Sequence, residues 1–223
     1  MRIAVAIPAY DAVHTVGAVV TRALALVPDV LVIDDGSTDG TADAARAAGA
    51  EVHRVPENRG KGNALREAFA ILFARGFAAV ITVDADGQHV PEEIPRLLAA
   101  APDADLVLGT RDHLFAEMSP TRRTANRLSS QAISLAAGRR ISDVQTGFRL
   151  YTKTLIDRTG FPEARFEAES AVVVRAVRCG LRVTTTPVRL AKADGRASSH
   201  YRPLVDSLRI AAAVLRARAE APR

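Results

Sequence analysis

Tryptophan is absent from this chain, and aromatic residues make up only 4% of its 223 positions. Its hydrophobic core must therefore be built from Ala, Val, Leu and Ile, and a nucleic-acid module that stacks bases on exposed aromatics is excluded. A single cysteine, Cys179, rules out an internal disulfide and any multi-cysteine metal site. It falls in an apolar helical pattern and reads as a small buried hydrophobe. No run reaches the roughly 18 to 20 apolar residues of a spanning helix. The first residues form a strand pattern and leave no room for a signal peptide, so a cytoplasmic protein is expected. Neither a Gly-Lys-Ser/Thr phosphate loop nor a Gly-x-Gly-x-x-Gly fingerprint is present, which weakens ATPase and dehydrogenase readings. Lysine is scarce at three residues, yet arginine lifts the net charge to +5 and the isoelectric point to about 10. Without a nucleic-acid motif, that charge points to an anionic donor, an anionic acceptor or a membrane surface.

What is present is a series of apolar runs that end in polar turns. Val80-Ile81-Thr82-Val83 runs directly into Asp84-Ala85-Asp86-Gly87-Gln88-His89. Residues i and i+2 of an extended strand share a face, so Asp84 and Asp86 converge on one object. Two adjacent anions repel unless a cation lies between them, and hard oxygen ligands suit Mg²⁺ or Mn²⁺. Mg²⁺ takes one or two protein carboxylates and completes its shell with water and substrate phosphates. The pattern suggests a metal held for a diphosphate, although a polar turn has the same composition.

A second such turn is Val30-Leu31-Val32-Ile33-Asp34-Asp35-Gly36, followed by Ser37-Thr38-Asp39-Gly40-Thr41. One of Ser37, Thr38 or Asp39 suffices to cap the Ala-rich helix that follows. The adjacent acids Asp34 and Asp35 exceed that need and are suited to a base N–H or a ribose hydroxyl. A third run, Ile3 to Ile7, leads into Pro8-Ala9-Tyr10. Pro8 is expected to end the ladder for want of an N–H, leaving the Tyr10 ring at a strand end.

Hydrophobic periodicity predicts strands at 3–7, 30–34, 50–55, 79–83 and 105–109, and helices at 13–26, 39–48, 61–75 and 91–100. Strands alternating with helices specify an α/β fold with a mostly parallel, doubly wound sheet and helices on both faces. Right-handed crossovers bring the strand ends, and with them the three motifs, to one edge. Further helices are expected at 121–137, 167–179 and 203–219. The last carries Leu204, Leu208, Ala211, Ala212 and Leu215 on one side, with Arg209, Arg216 and Arg218 mainly elsewhere. Such a helix either packs on its own domain or lies on an anionic membrane.

The ordered set Pro8-Ala9-Tyr10, Val32 to Thr41, Asn58-Arg59-Gly60-Lys61-Gly62, Asp84 to His89, Gly109-Thr110-Arg111 and Gln145-Thr146-Gly147-Phe148-Arg149 resembles family 2 glycosyltransferases of the GT-A fold. The branch most similar contains the dolichol-phosphate and polyprenyl-phosphate mannose synthases. The resemblance covers about residues 3 to 200. It implies one GT-A domain over 1–223, with a nucleotide-binding half (1–110), an acceptor-side half (111–202) and a C-terminal helix (203–219). Larger members of that branch carry membrane helices after this domain.

The resemblance also implies roles for individual residues. Asp84, Asp86 and Gln88 would hold the metal. Pro8, Ala9, Tyr10, Asp34, Asp35, Lys61, Asp84, Ala85, Arg111 and Arg196 would hold the nucleotide sugar, GDP- or UDP-linked. Arg196 falls in a segment similar to the family's mobile loop. Arg122, Arg123, Arg127, Gln145, Thr146 and Gly147 would lie on the acceptor side, and Asp86 and Asp143 are implied as catalytic. At Asp11-Ala12 the chain departs from the family's usual Asn-Glu, which leaves the nucleotide base open. The implied reaction is metal-dependent, inverting transfer of a hexose to a polyprenyl phosphate. A hydroxyl acceptor, with Asp143 as general base, is the alternative, and a non-catalytic nucleotide-sugar-binding partner subunit is a third. Only an alcohol requires a base, because a lipid phosphate is already an anion at neutral pH. Asp143 reads equally as a turn cap, and Glu167 and Glu169 as acids favoured by a helix N-terminus. Oligomeric state is left open.

Overall fold

The computed structural model describes residues 1–111, 120–191 and 203–220, with the backbone alone at 120–128 and 203–204. The strands follow from strict alternation. In β1 (Ile3–Ala9), Ala4 and Ala6 face one side of the sheet while Val5 and Ile7 face the other, and all four are buried. The same holds in β2 (Val30–Asp35), with Leu31 and Ile33 opposite Val30 and Val32. Burial on both faces is why these segments read as continuous apolar runs.

The intervening elements are α1 (Val16–Leu24), α2 (Thr41–Ala47), β3 (Glu51–Val55), α3 (Lys61–Ala74), β4 (Ala79–Thr82), α4 (Ile94–Ala100) and β5 (Leu106–Thr110). After α5 (Pro120–Ala137) come β6 (Arg149–Thr152), α6 (Lys153–Thr159), α7 (Glu167–Arg178), β7 (Val183–Pro187) and α8 (Pro203–Ala219). One apolar cluster packs α1 and α4 against one sheet face, and the other packs α3, α5, α7 and α8 against the opposite face.

Among the described residues, seven strands form one sheet in the order β3-β2-β1-β4-β6-β5-β7. The order reverses between β1 and β4, which creates a crevice at their carboxyl ends. All pairings are parallel except those of β6, which runs antiparallel to both β4 and β5. β6 and β7 were not predicted. Each is only 4 or 5 residues long, and β7 carries three consecutive threonines with little apolar signal. The reversal of β6 matters for the site, because it brings the loop that enters β6 to the same edge as the ends of β1, β2, β4 and β5.

Pro8 does not end β1, as its sequence position suggested. Register with β2 continues through Pro8↔Ile33 and Ala9↔Asp34, whereas pairing with β4 stops at Ala6↔Thr82. Val83 N–H donates to Ala6 O on the β4 side. Two residues later, the imide nitrogen of Pro8 points to that same side, where no strand remains to need a donor.

Candidate active site

The strand ends meet at a cavity of about 790 Å³ lined by Pro8, Ala9, Tyr10, Asp35, Gly60, Lys61, Asp84, Ala85 and Asp86. Arg165, Phe166, Asp206 and Arg209 line it as well. Of the residues expected to hold the nucleotide sugar, Asp34 and Arg111 are not on this wall, and Arg196 lies outside the described residues. The side chains of Arg122, Arg123 and Arg127, on α5, also lie outside them.

The two acids of the upstream turn divide their work. Asp34 is wholly buried; its Oδ1 accepts the Ser37 N–H at 2.9 Å and its Oδ2 sits 3.3 Å from Arg54 Nε. Asp35 reaches the cavity while accepting the N–H groups of Arg59 (2.9 Å) and Gly60 (2.7 Å). Burial raises its pKa, against those two backbone donors and the charge of Arg165. The polar residues that follow also hold a neighbouring loop. Ser37 Oγ accepts Asp11 N–H, Thr41 Oγ1 accepts Ala12 N–H, and Asp39 Oδ2 accepts Val13 N–H. Asp11, at φ 45°, in turn accepts Thr38 N–H at its Oδ1. The Asp11-Ala12 departure is thus built into a zipper that holds the loop after Tyr10.

Asp84 is the electrostatic centre of the cavity. Lys61 Nζ, at the first turn of α3, lies 2.6 Å from Asp84 Oδ1 and 2.8 Å from Glu169 Oε2 of α7. Burial pushes the Asp84 pKa up, but Lys61 and its neighbours outweigh this and hold it down at about 2. Burial works against the charge of Lys61, yet Asp84 and Glu169 keep it firmly ionised. Asp86 is shifted the other way, raised by burial and then by the charge of Asp84, while its Oδ1 accepts Gln88 N–H at 2.9 Å. The two carboxylates oppose each other electrostatically, and Asp84 already has Lys61 as its counter-charge.

His89 is 3% exposed and stacks on Phe148. Its Nε2 lies 3.3 Å from Thr146 Oγ1 and its Nδ1 3.6 Å from Asp84 Oδ2. Burial lowers its pKa to about 4, so it stays neutral at pH 7 and makes no ion pair with Asp84.

The loop entering β6 forms the other wall. A Cβ on Gly147 would stand 2.2 Å from Asp84 Oδ2, so glycine is required for this approach. Thr82 Oγ1 donates to Gly147 O at 2.8 Å and ties the loop to β4. Gln145 Nε2 donates to Ser129 Oγ at 3.0 Å, and Thr146 is buried against His89. Asp143 is 1% exposed and, at φ 41°, adopts the left-handed conformation that asparagine and aspartate tolerate best among side-chain-bearing residues. Its Oδ2 accepts both the backbone N–H (2.7 Å) and Nε (2.8 Å) of Arg111, and its Oδ1 accepts an η-nitrogen at 2.8 Å. Glu167 bonds locally to Arg165 N–H, whereas Glu169 holds Lys61.

Sequence reading missed Arg165, Phe166, Asp206 and Arg209 on the cavity wall. No local signal marks them, since they reach it from the loop before α7 and from α8 through tertiary packing.

Comparison with known proteins places this geometry in a family. The undecaprenyl-phosphate mannosyltransferase of Micrococcus luteus is 33% identical over 202 residues, covering 84% of this chain and 83% of that protein. An undecaprenyl-phosphate 4-deoxy-4-formamido-L-arabinose transferase of Aeromonas hydrophila is 34% identical over 70% of the chain, which spans only 50% of that relative's length. Glucosyl-3-phosphoglycerate synthase from Mycobacterium tuberculosis, solved with Mn²⁺, uridine diphosphate and phosphoglyceric acid, superposes with a TM-score of 0.75. It is 21% identical over 100% of this chain and 80% of that one, and shares the GT-A fold. The family model described as Glycosyl transferase family 2 matches residues 4–160, and the chain is a glycosyltransferase that belongs to this family.

Proposed function

We propose that this glycosyltransferase moves a hexose from a nucleotide-diphosphate donor to a polyprenyl phosphate, with inversion at the anomeric carbon. The undecaprenyl-phosphate acceptors named for two relatives support this acceptor class. The observation that carries it is the Arg111–Asp143 pair. Three N–H groups of Arg111 bind the two Asp143 oxygens, and the Asp143 side chain is wholly buried in this contact, so an alcohol has no path by which to hand it a proton. An anionic acceptor has no such need.

Asp84 and Asp86, with Gln88 as a further oxygen donor, would hold one Mg²⁺ or Mn²⁺, a cation that generally completes its shell with water and substrate phosphates. Among the described residues, no group of three or more His, Cys, Asp or Glu side chains is poised to hold a metal. A metal that relies on substrate phosphates matches that sparse donor set, and the solved relative named with Mn²⁺ agrees with it. When bound, the cation neutralises charge on the leaving diphosphate. Lys61 supplies a second positive charge beside Asp84, and Arg165 and Arg209 add charge along the wall. Pro8, Ala9, Tyr10 and Asp35 form the nucleoside end, and Ala85 lies between the two metal carboxylates. The incoming phosphate oxygen attacks the sugar carbon from the face opposite the diphosphate as charge develops on the ring.

The test is calorimetric titration with GDP and UDP, each in Mn²⁺ and in EDTA, on the native chain and on Asp86→Asn. One nucleotide should bind in a metal-dependent manner, and the variant should lose that binding while keeping its fold. Equal binding by both proteins would remove Asp86 from the metal site.

A further inference from the structure

We propose that the outward face of α8 is a docking surface for an anionic lipid bilayer. Sequence periodicity groups Leu208, Ala211, Ala212 and Leu215 on one side of this helix, and packing on the domain would ordinarily bury such a stripe. The structure buries the other side. Ile210, Ala213, Val214 and Ala217 are at most 7% exposed within the core shared with α5 and α7, whereas Leu208 is 72% and Leu215 is 65% exposed. At about 100° per residue, Leu208, Ala212 and Leu215 form a continuous outer ridge, joined at its start by Val205. The helix is packed on the domain and apolar toward solvent at the same time.

This ridge is not scattered surface. Among the described residues, Val205, Leu208 and Leu215, together with Leu135 in the last turn of α5, are four of the six exposed large hydrophobics. Arg218 joins the two helices, donating to Leu135 O (3.2 Å) and Ala136 O (2.9 Å). Arg209 and Arg216 border the ridge on one side and Arg218 on the other. Of the acids nearby, Asp206 is buried and lies 3.5 Å from an η-nitrogen of Arg209, and Glu220 is paired at 2.7 Å with Arg175 Nε.

An apolar ridge between arginines suits an interface where acyl chains meet anionic headgroups. A second copy fits less well, because a two-fold contact through this face would bring both sets of arginines together. Docking here would set the cavity mouth beside the lipid surface, since Asp206 and Arg209 of the same helix line that cavity. The inference rests on the geometry of α8 and goes beyond the proposed reaction.

Vesicle co-sedimentation of the full chain tests it, with phosphatidylcholine alone and with added phosphatidylglycerol. The wild type should bind the anionic vesicles selectively. Leu208→Ser combined with Leu215→Ser should weaken that binding at least about tenfold, while metal-dependent nucleotide binding, measured separately, reports on the donor site. Absence of binding to anionic vesicles, unchanged binding in the double variant, or a wild-type dimer that the variant renders monomeric would each overturn the proposal.

Discussion

A carboxylate acts as a general base only if a lone pair is open to the proton it must take. Asp143 fails this condition because its side chain is wholly buried against Arg111, and the pair is better described as a clamp between the end of β5 and the loop entering β6. Asp143→Asn should therefore behave as a stability variant. Leaving the largely buried Arg111 without its counter-charge should cost about 3 kcal/mol, read from the urea midpoint. The pH–rate profile of the folded variant should keep its shape. A fall of several orders of magnitude in kcat, with one limb of the profile lost, would instead support an alcohol acceptor. Legibility at this scale was uneven. The spacing of Asp84 and Asp86 was readable because strand geometry is local. Which of Asp34 and Asp35 faces the cavity was not, because that depends on the backbone N–H groups of Arg59 and Gly60 arriving from another segment.

Among the elements, β6 does the most to shape the site and had the weakest signal in the sequence. Its first residue, Arg149, is wholly buried and donates to Val144 O (2.6 Å), Thr146 O (2.7 Å) and Glu169 O (2.5 Å). One side chain thus joins the loop that approaches Asp84 to the helix that supplies the counter-ion of Lys61. Arg149→Met would remove all three bonds, leave the buried loop carbonyls of Val144 and Thr146 unpaired, and should destabilise the protein by about 3 kcal/mol or more. Hydrogen exchange at residues 144–148 should rise with it, and unchanged protection there would show that the loop is held by other means. The motif containing Arg149 was recognisable by its similarity to a family. Its structural role required the antiparallel pairing, which a four-residue strand does not announce. Most helices were read more closely, as in α3, predicted at 61–75 and found at Lys61–Ala74, but the seven-residue α6 was not predicted.

For the molecule as a whole, the buried charges of the site set the response to acid. The folded-state pKa of His89 is depressed from 6.5 to about 4, so the unfolded chain takes up its proton first. Its contribution is fully present above about pH 6.5 and is lost as pH falls toward 4. Asp84, lowered from 3.8 to about 2, contributes above about pH 4 and loses that contribution on further acidification. Stability should therefore decline in two stages. His89→Gln should flatten the first one, over about pH 4 to 7, in urea midpoints taken across that range. A wild-type curve already flat there would mean that His89 is not buried as the neutral ring.

The sequence by itself determined the layered α/β architecture and the gathering of Pro8-Ala9-Tyr10, Asp34-Asp35 and Asp84-x-Asp86 at one sheet edge. Both follow from local periodicity and from the fixed handedness of strand crossovers. Tertiary structure decided the rest. It paired Asp143 with Arg111, set Lys61 between Asp84 and Glu169, and reversed β6 into the sheet. It also turned the Leu208–Leu215 side of α8 outward, against the expectation that a packed helix buries its leucines. Periodicity states which residues share a face of a helix. Which face is covered depends on the shape of the surface it meets. On α7 and α5 that surface accepted the side carrying Ile210, Ala213, Val214 and Ala217, where two of the four buried residues are alanines that permit close approach.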